Sequence, residues 1–124
     1  MKHSILMVDD EESIRRLLLI YLERHNFTKY IFYSAANGKE SIESYKKYKP
    51  DLVVMDLRMP VMTGEEATKQ IIEYDPTANI VIFTAYSQTN IEQQALAAGA
   101  KSTIPKSSNW METAQKIIDA LNRR

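Results

Sequence analysis

The chain has 124 residues, 44% of them apolar and 26% charged, which suits one soluble domain large enough to bury a core. Lysine plus arginine and aspartate plus glutamate number 16 each, so there is no sequence-wide basic field for nucleic acid or an anionic membrane. Cysteine is absent, which excludes disulfides, cysteine-ligated zinc and thiol catalysis. The N-terminal segment reaches Asp9 and Asp10 after only a short apolar stretch, too soon for a signal peptide. The densest apolar run, Leu17 to Leu22, falls far short of the roughly 20 residues of a membrane span. The expectation is a cytoplasmic protein with no membrane contact and no direct binding to nucleic acid.

In chain order, short apolar runs alternate with longer amphipathic stretches. Ile5-Leu6-Met7-Val8 predicts a buried strand ended by two aspartates. From Glu11 to His25, apolar residues at Ile14, Leu17, Leu18, Tyr21 and Leu22 recur in steps of three and four, the pattern of a one-faced helix. Tyr30-Ile31-Phe32-Tyr33 is aromatic and β-branched, a second strand. Asn37-Gly38 opens a helix lined by Ile42, Tyr45 and Tyr48 and stopped by Pro50. Leu52-Val53-Val54-Met55 is a third strand, ending at Asp56.

Gly64 precedes a third helix with Ala67, Ile71 and Tyr74 on its core side, closed by Asp75-Pro76. Ile80-Val81-Ile82-Phe83 forms a fourth strand that ends at Thr84. Ile91, Ala95 and Ala98 mark a fourth helix, with Gly99 as its C-terminal cap. A weaker fifth strand lies around Ser102 to Ile104, and a last helix from about Asn109 carries Met111, Ala114, Ile117, Ile118 and Leu121. Strands without polar alternation, separated by helices, imply a parallel sheet covered on both faces: an α/β, doubly wound, three-layer fold. No linker or low-complexity tract interrupts it, so residues 1–124 are expected to form a single domain.

The polar residues fall where such a fold places its ligands, outside the carboxyl ends of the strands. The first strand ends in Asp9-Asp10, the third in Asp56, the fourth in Thr84, and Lys106 follows the fifth. If the first and third strands are neighbours, three carboxylates converge. Two of them about 4 Å apart, at an effective dielectric of about 20, repel by on the order of 4 kcal/mol. Such a cluster takes up a proton or a cation, and hard oxygen donors suit Mg²⁺. An aspartate alone at this position is more simply a helix cap, yet capping leaves Asp56 unaccounted for. A carboxylate can also attack phosphorus and carry the phosphoryl group, given a metal, an ammonium and a hydroxyl to neutralise the transferring oxygens. Asp56, Lys106 and Thr84 are residues of those types.

The pieces Ile5 to Asp10 (ILMVDD), Asp51 to Gly64 (DLVVMDLRMPVMTG), Thr84-Ala85, Ala98-Gly99-Ala100 and Lys106 resemble the receiver domains of two-component response regulators along the whole chain. The segment from Asp56 through Met59-Pro60 to Gly64 is its most specific part. The resemblance implies a flavodoxin-like sheet of order 2-1-3-4-5. It also implies that Asp56 accepts a phosphoryl group from a phosphohistidine on a sensor histidine kinase or phosphotransfer protein. By the same resemblance Asp10, Asp56 and the backbone carbonyl of Arg58 hold Mg²⁺, with Asp9 acting through water. Lys106 would pair with Asp56, Thr84 would bind a phosphoryl oxygen, and Pro60 and Gly64 would shape the loop. Slow self-dephosphorylation would be tuned by Arg58 and Tyr86. A downstream protein would read the switch on the face of the fourth helix, fifth strand and fifth helix, where Ile91, Lys101, Thr103 and Trp110 are candidates. Trp110 can equally cover the end of the sheet.

Two positions depart from the family pattern. Thr103 stands where an aromatic switch residue is usual, and Ser107 follows Lys106 where proline is usual, with Pro105 before it instead. A cis bond before a non-proline residue costs about 2.5–4 kcal/mol, so Lys106-Ser107 is expected to be trans, as is Ile104-Pro105. Two other readings share parts of the pattern. A haloacid-dehalogenase-type phosphatase resembles Asp-x-Asp at its first strand, where this chain has adjacent aspartates. A flavodoxin-like FMN carrier needs a Gly/Ser/Thr phosphate loop where Asp9-Asp10-Glu11-Glu12 stand. His3 and His25 are read as surface residues.

Overall fold

In the computed structural model, residues 3–25, 30–85 and 89–123 are described, with backbone alone at 89, 91 and 92. The elements follow the apolar periodicity: β1 (His3–Val8), α1 (Glu12–Arg24), β2 (Tyr30–Ala35), α2 (Gly38–Tyr48), β3 (Leu52–Met55), α3 (Gly64–Tyr74), β4 (Ile80–Thr84), α4 (Thr89–Ala97), β5 (Ser102–Pro105) and α5 (Trp110–Asn122). All neighbouring strands are parallel, in the order β2-β1-β3-β4-β5. Fold class and strand order are therefore as expected.

Alternate residues of each central strand enter opposite cores, the consequence of a two-residue side-chain period in a sheet covered on both sides. Leu6, Val8, Val53, Met55, Ile80 and Ile82 pack with Tyr45 of α2, Ala67 and Ile71 of α3 and Ala95 of α4. Ile5, Met7, Leu52, Val54, Val81 and Phe83 pack with Leu18 and Leu22 of α1 and Ala114, Ile117, Ile118 and Leu121 of α5. Helices α1 and α5 thus cover one face, and α2, α3 and α4 the other.

Side chains seal the helix starts at Asn37, Thr63 and Asn109, which accept from the backbone N–H of Glu40, Glu66 and Glu112. Gly99 follows α4 with φ +120, a conformation that a side chain would strain, and the space for a Cβ is filled by Ile72. Among the described residues every peptide bond is trans, including those before Pro105 and Ser107. No described helix is long and apolar enough to cross a membrane.

Four details differ from the sequence reading, the first being that Tyr48 is exposed, its ring stacked on Tyr33 at 3.9 Å rather than turned into the core. Strand β1 begins at His3, two residues early, because His3 pairs with Tyr30 and extends the ladder. Met111 is exposed, not part of the core; at the first turn of α5 it is Trp110 that packs inward, its ring 6.5 Å from that of Phe83. Tyr74 is also exposed, because α3 ends there; its ring meets Tyr45 edge-on, and the Lys46 ammonium lies 5.1 Å from its centre.

Candidate functional site

Parallel strands deliver their carboxyl ends to one edge, and backbone hydrogen bonds continue one step past the strands to hold the polar residues there. Asp56 N–H donates to Val8 C=O at 2.9 Å, Asp9 N–H to Ala35 C=O at 3.1 Å, and Lys106 N–H to Thr84 C=O at 2.8 Å. Asp9, Asp56 and Thr84 are 2%, 5% and 2% exposed, so the three sit almost wholly out of water. Asp10 and Glu11 are exposed beside them.

The Lys106 ammonium spans the two buried acids. Its Nζ is 2.8 Å from Asp9 Oδ2 and 3.4 Å from Asp56 Oδ1, and it lies 5.4 Å from the centre of the Phe83 ring. The other Asp9 oxygen, Oδ1, accepts from the Glu11 N–H at 3.0 Å and turns the chain into α1. Glu11 occupies the cap position of α1, and its own side chain makes no capping bond. The Arg15 guanidinium donates to the Asp9 backbone carbonyl.

Two backbone features fix the loop between β3 and α3. Gly64 lies so close to the end of β3 that a Cβ there would stand 1.9 Å from the Asp56 carbonyl oxygen. Its N–H donates to Leu57 C=O at 2.9 Å. Val61 has φ 71, and across it the Met62 N–H donates to Pro60 C=O at 2.8 Å, which closes a three-residue γ-turn. A β-branched residue in that conformation costs on the order of 1–3 kcal/mol, held in place by the packing around it. The Val61 side chain is 77% exposed.

Burial dominates the electrostatics. It raises the Asp56 carboxyl from 3.8 to about 6; the Asp9 charge adds to the rise, Lys106 opposes it, and Asp10 adds a smaller part. Burial pulls the Lys106 ammonium down, but its hydrogen bond to Asp9 and the charges of Asp56 and Asp9 outweigh that, so its affinity for the proton is raised. Two acids against one ammonium leave a net negative pocket. Carboxylate oxygens of Asp9, Asp10 and Glu11 come within 4.8 Å of one another at its mouth. This set of hard oxygen donors, and a buried acid pushed toward its protonated form, fits Mg²⁺ as the ion that would relieve the repulsion.

The structure therefore brings together Asp9, Asp56 and Lys106, with Asp10 at the mouth and Thr84 ending the neighbouring strand. Arg58 is exposed in the loop after Asp56, and Tyr86 lies outside the described residues, as does the side chain of Ile91. Thr103 lines a cleft between β5 and α5. Sequence reasoning missed Glu11, taken as part of the first helix, although the run Asp9-Asp10-Glu11-Glu12 carried the signal. It also missed Phe83 beneath Lys106, and it paired the lysine with Asp56, whereas Asp9 is the nearer acid.

The response regulator receiver domain family matches residues 5–118. The chemotaxis protein CheY of Halobacterium salinarum is 40% identical over 98% of both chains. CheY of Thermotoga maritima is 35% identical over 99% of this chain and 98% of its own. The response regulator TrrA of Thermotoga maritima, solved in complex with Mg²⁺ and beryllium fluoride, superposes with a TM-score of 0.82 at 33% identity, covering 97% of this chain and 99% of that one.

Proposed function

The chain belongs to the response regulator receiver family, and from that we propose that Asp56 accepts a phosphoryl group, with Mg²⁺ bound by the neighbouring acids, and so switches a signalling output. Membership makes it a signalling domain of two-component systems, not a phosphatase of the haloacid type or a flavin carrier. The observation that carries the residue assignment is the burial of Asp56 beside Asp9, with one ammonium shared between them.

In the transfer, a carboxylate oxygen of Asp56 forms a bond to phosphorus. The bond from phosphorus to the donor's imidazole nitrogen breaks, and its electron pair leaves with the imidazole. An acid lifted to about 6 is still mostly ionised near neutral pH, and is more basic than an ordinary aspartate. Asp9 and Asp10, with Asp56 and the Arg58 carbonyl, would hold Mg²⁺, which offsets charge on the phosphoryl oxygens when bound. Lys106, 3.4 Å from Asp56 Oδ1, would follow the charge onto the new phosphoryl group, and the buried Thr84 hydroxyl would bind one of its oxygens. Water attack on the acyl phosphate returns the carboxylate and inorganic phosphate, at a rate tuned by Arg58 and Tyr86. Sensor histidine kinases or phosphotransfer proteins are the donors, and residues 1–124 act as one domain.

A phosphoryl group adds roughly −1.5 to −2 charge, by analogy with other phosphorylated side chains. Any arrangement that binds it better gains population. Lys106, Phe83 and Trp110 form a contact series from the acids to the first turn of α5. That series supports readout on the α4-β5-α5 face despite Thr103 at the usual aromatic position, with Lys101 and Trp110 bearing on the partner.

Intact mass after incubation with acetyl phosphate tests the proposal. One added phosphoryl group should appear with Mg²⁺, and none in its absence or in Asp56→Asn. Arg58→Ala should change the decay of that species. Equal labelling of Asp56→Asn would refute the acceptor assignment.

A further inference from the structure

At the end of the sheet opposite the acids lies a cleft of about 390 Å³, lined by Thr77, Asn79, Val81, Lys101, Ser102, Ala120 and Arg123. That volume falls within the range of about 300–1,000 Å³ typical of small-molecule sites. The floor is built from the fold itself. Asn79 is buried, its backbone C=O accepts from the Val53 N–H at 2.9 Å, and its amide Nδ2 donates to Ala120 C=O at 3.2 Å. This joins the start of β4 to the last turn of α5 and removes one of the carbonyls that would otherwise face the cleft with negative charge.

Two cations flank this floor, and the nearby acids are engaged elsewhere. Asp75 accepts from the Tyr45 hydroxyl at 2.7 Å and from the Thr77 N–H and hydroxyl. Asp119, which lines the adjoining cleft between β5 and α5, accepts from the Gln115 amide at 2.9 Å. Lys116, also in that adjoining cleft, pairs with Glu112 at 3.3 Å. Among the described residues, Lys101 and Arg123 make no ion pair. A guanidinium and an ammonium on one concave surface, with the Ser102 hydroxyl and an apolar wall from Val81 and Ala120, match an anionic head on a small apolar body.

We propose that this cleft binds a small organic anion, its carboxylate or phosphate held between Lys101 and Arg123 and its apolar part against Val81 and Ala120. The site stands apart from the acids around Asp56 and does not depend on them.

Amide chemical-shift titrations without Mg²⁺ test it, using benzoate and phenyl phosphate as probes of the two heads on one body, and benzyl alcohol as the uncharged control. At least one anion should shift the amides of Thr77, Lys101, Ser102 and Arg123 saturably, while the alcohol leaves them in place. The carboxylate and phosphate arms identify the head. The double variant Lys101→Ala/Arg123→Ala should weaken binding at least tenfold with the rest of the spectrum unchanged, and Arg123→Lys should retain part of it. Both side chains are exposed, so the fold should survive; if the double variant unfolds, each single variant should show a loss on its own. The site is overturned if neither anion moves these amides, if shifts grow linearly without saturation, or if they persist in the variants.

Discussion

Asp56 carries a stability cost with a definite sign. Its carboxyl is raised from 3.8 to about 6, so the folded state binds more protons than the unfolded chain between those values. The protonated form is the stabilising one: its contribution is complete below about 3.8 and is lost as pH rises through about 6. The gap corresponds to on the order of 3 kcal/mol at neutral pH, most of it desolvation and the Asp9 charge. In chelator, wild-type stability should fall as pH rises through this window, and Asp56→Asn should be the more stable protein at neutral pH. Urea denaturation across pH checks this; parallel curves for the two proteins would remove it. Two neighbouring positions should respond in opposite directions. Gly64→Ala forces a carbon against the Asp56 carbonyl and should destabilise by on the order of 3 kcal/mol. Val61→Gly relieves a positive φ and should stabilise by about 1 kcal/mol, both read from denaturation midpoints.

Among the elements, β4 and α5 are tied by aromatic contact. Phe83 lies between the Lys106 ammonium and the Trp110 ring, and Trp110 is the chain's single tryptophan. Phosphorylation that draws Lys106 onto a new dianion should alter the surroundings of that indole. Tryptophan emission should therefore change on addition of acetyl phosphate with Mg²⁺, and stay constant in Asp56→Asn; unchanged emission in fully phosphorylated protein would break the proposed series. The sequence exposed each element through its apolar period, because burial on one helix face or both sheet faces leaves a repeating mark. Element ends were less legible. Nothing local told that His3 would pair with Tyr30, or that Trp110 and not Met111 would turn inward, since both depend on where the partner element ends.

At the scale of the molecule, strand alternation gave the layered class, while the order 2-1-3-4-5 came through the family likeness, because periodicity carries no information on which strands are neighbours. Asp9, Asp10, Asp56, Thr84 and Lys106 could be placed on one edge because parallel strands all end there. Which acid the lysine would approach most closely could not, because it depends on side-chain reach across three strands. The floor and the two cations of the cleft between Lys101 and Arg123 were illegible for the same reason. Their residues are ordinary in sequence and meet only in the fold.

The central claim is that one carboxylate, Asp56, takes the phosphoryl group. Borohydride reduces an acyl phosphate on aspartate to homoserine, which tandem mass spectrometry locates in the chain. After treatment with acetyl phosphate and Mg²⁺, homoserine should be found at position 56 and nowhere else. Homoserine at Asp9 or Asp10, or none at all in protein that has gained a phosphoryl group, would contradict the assignment.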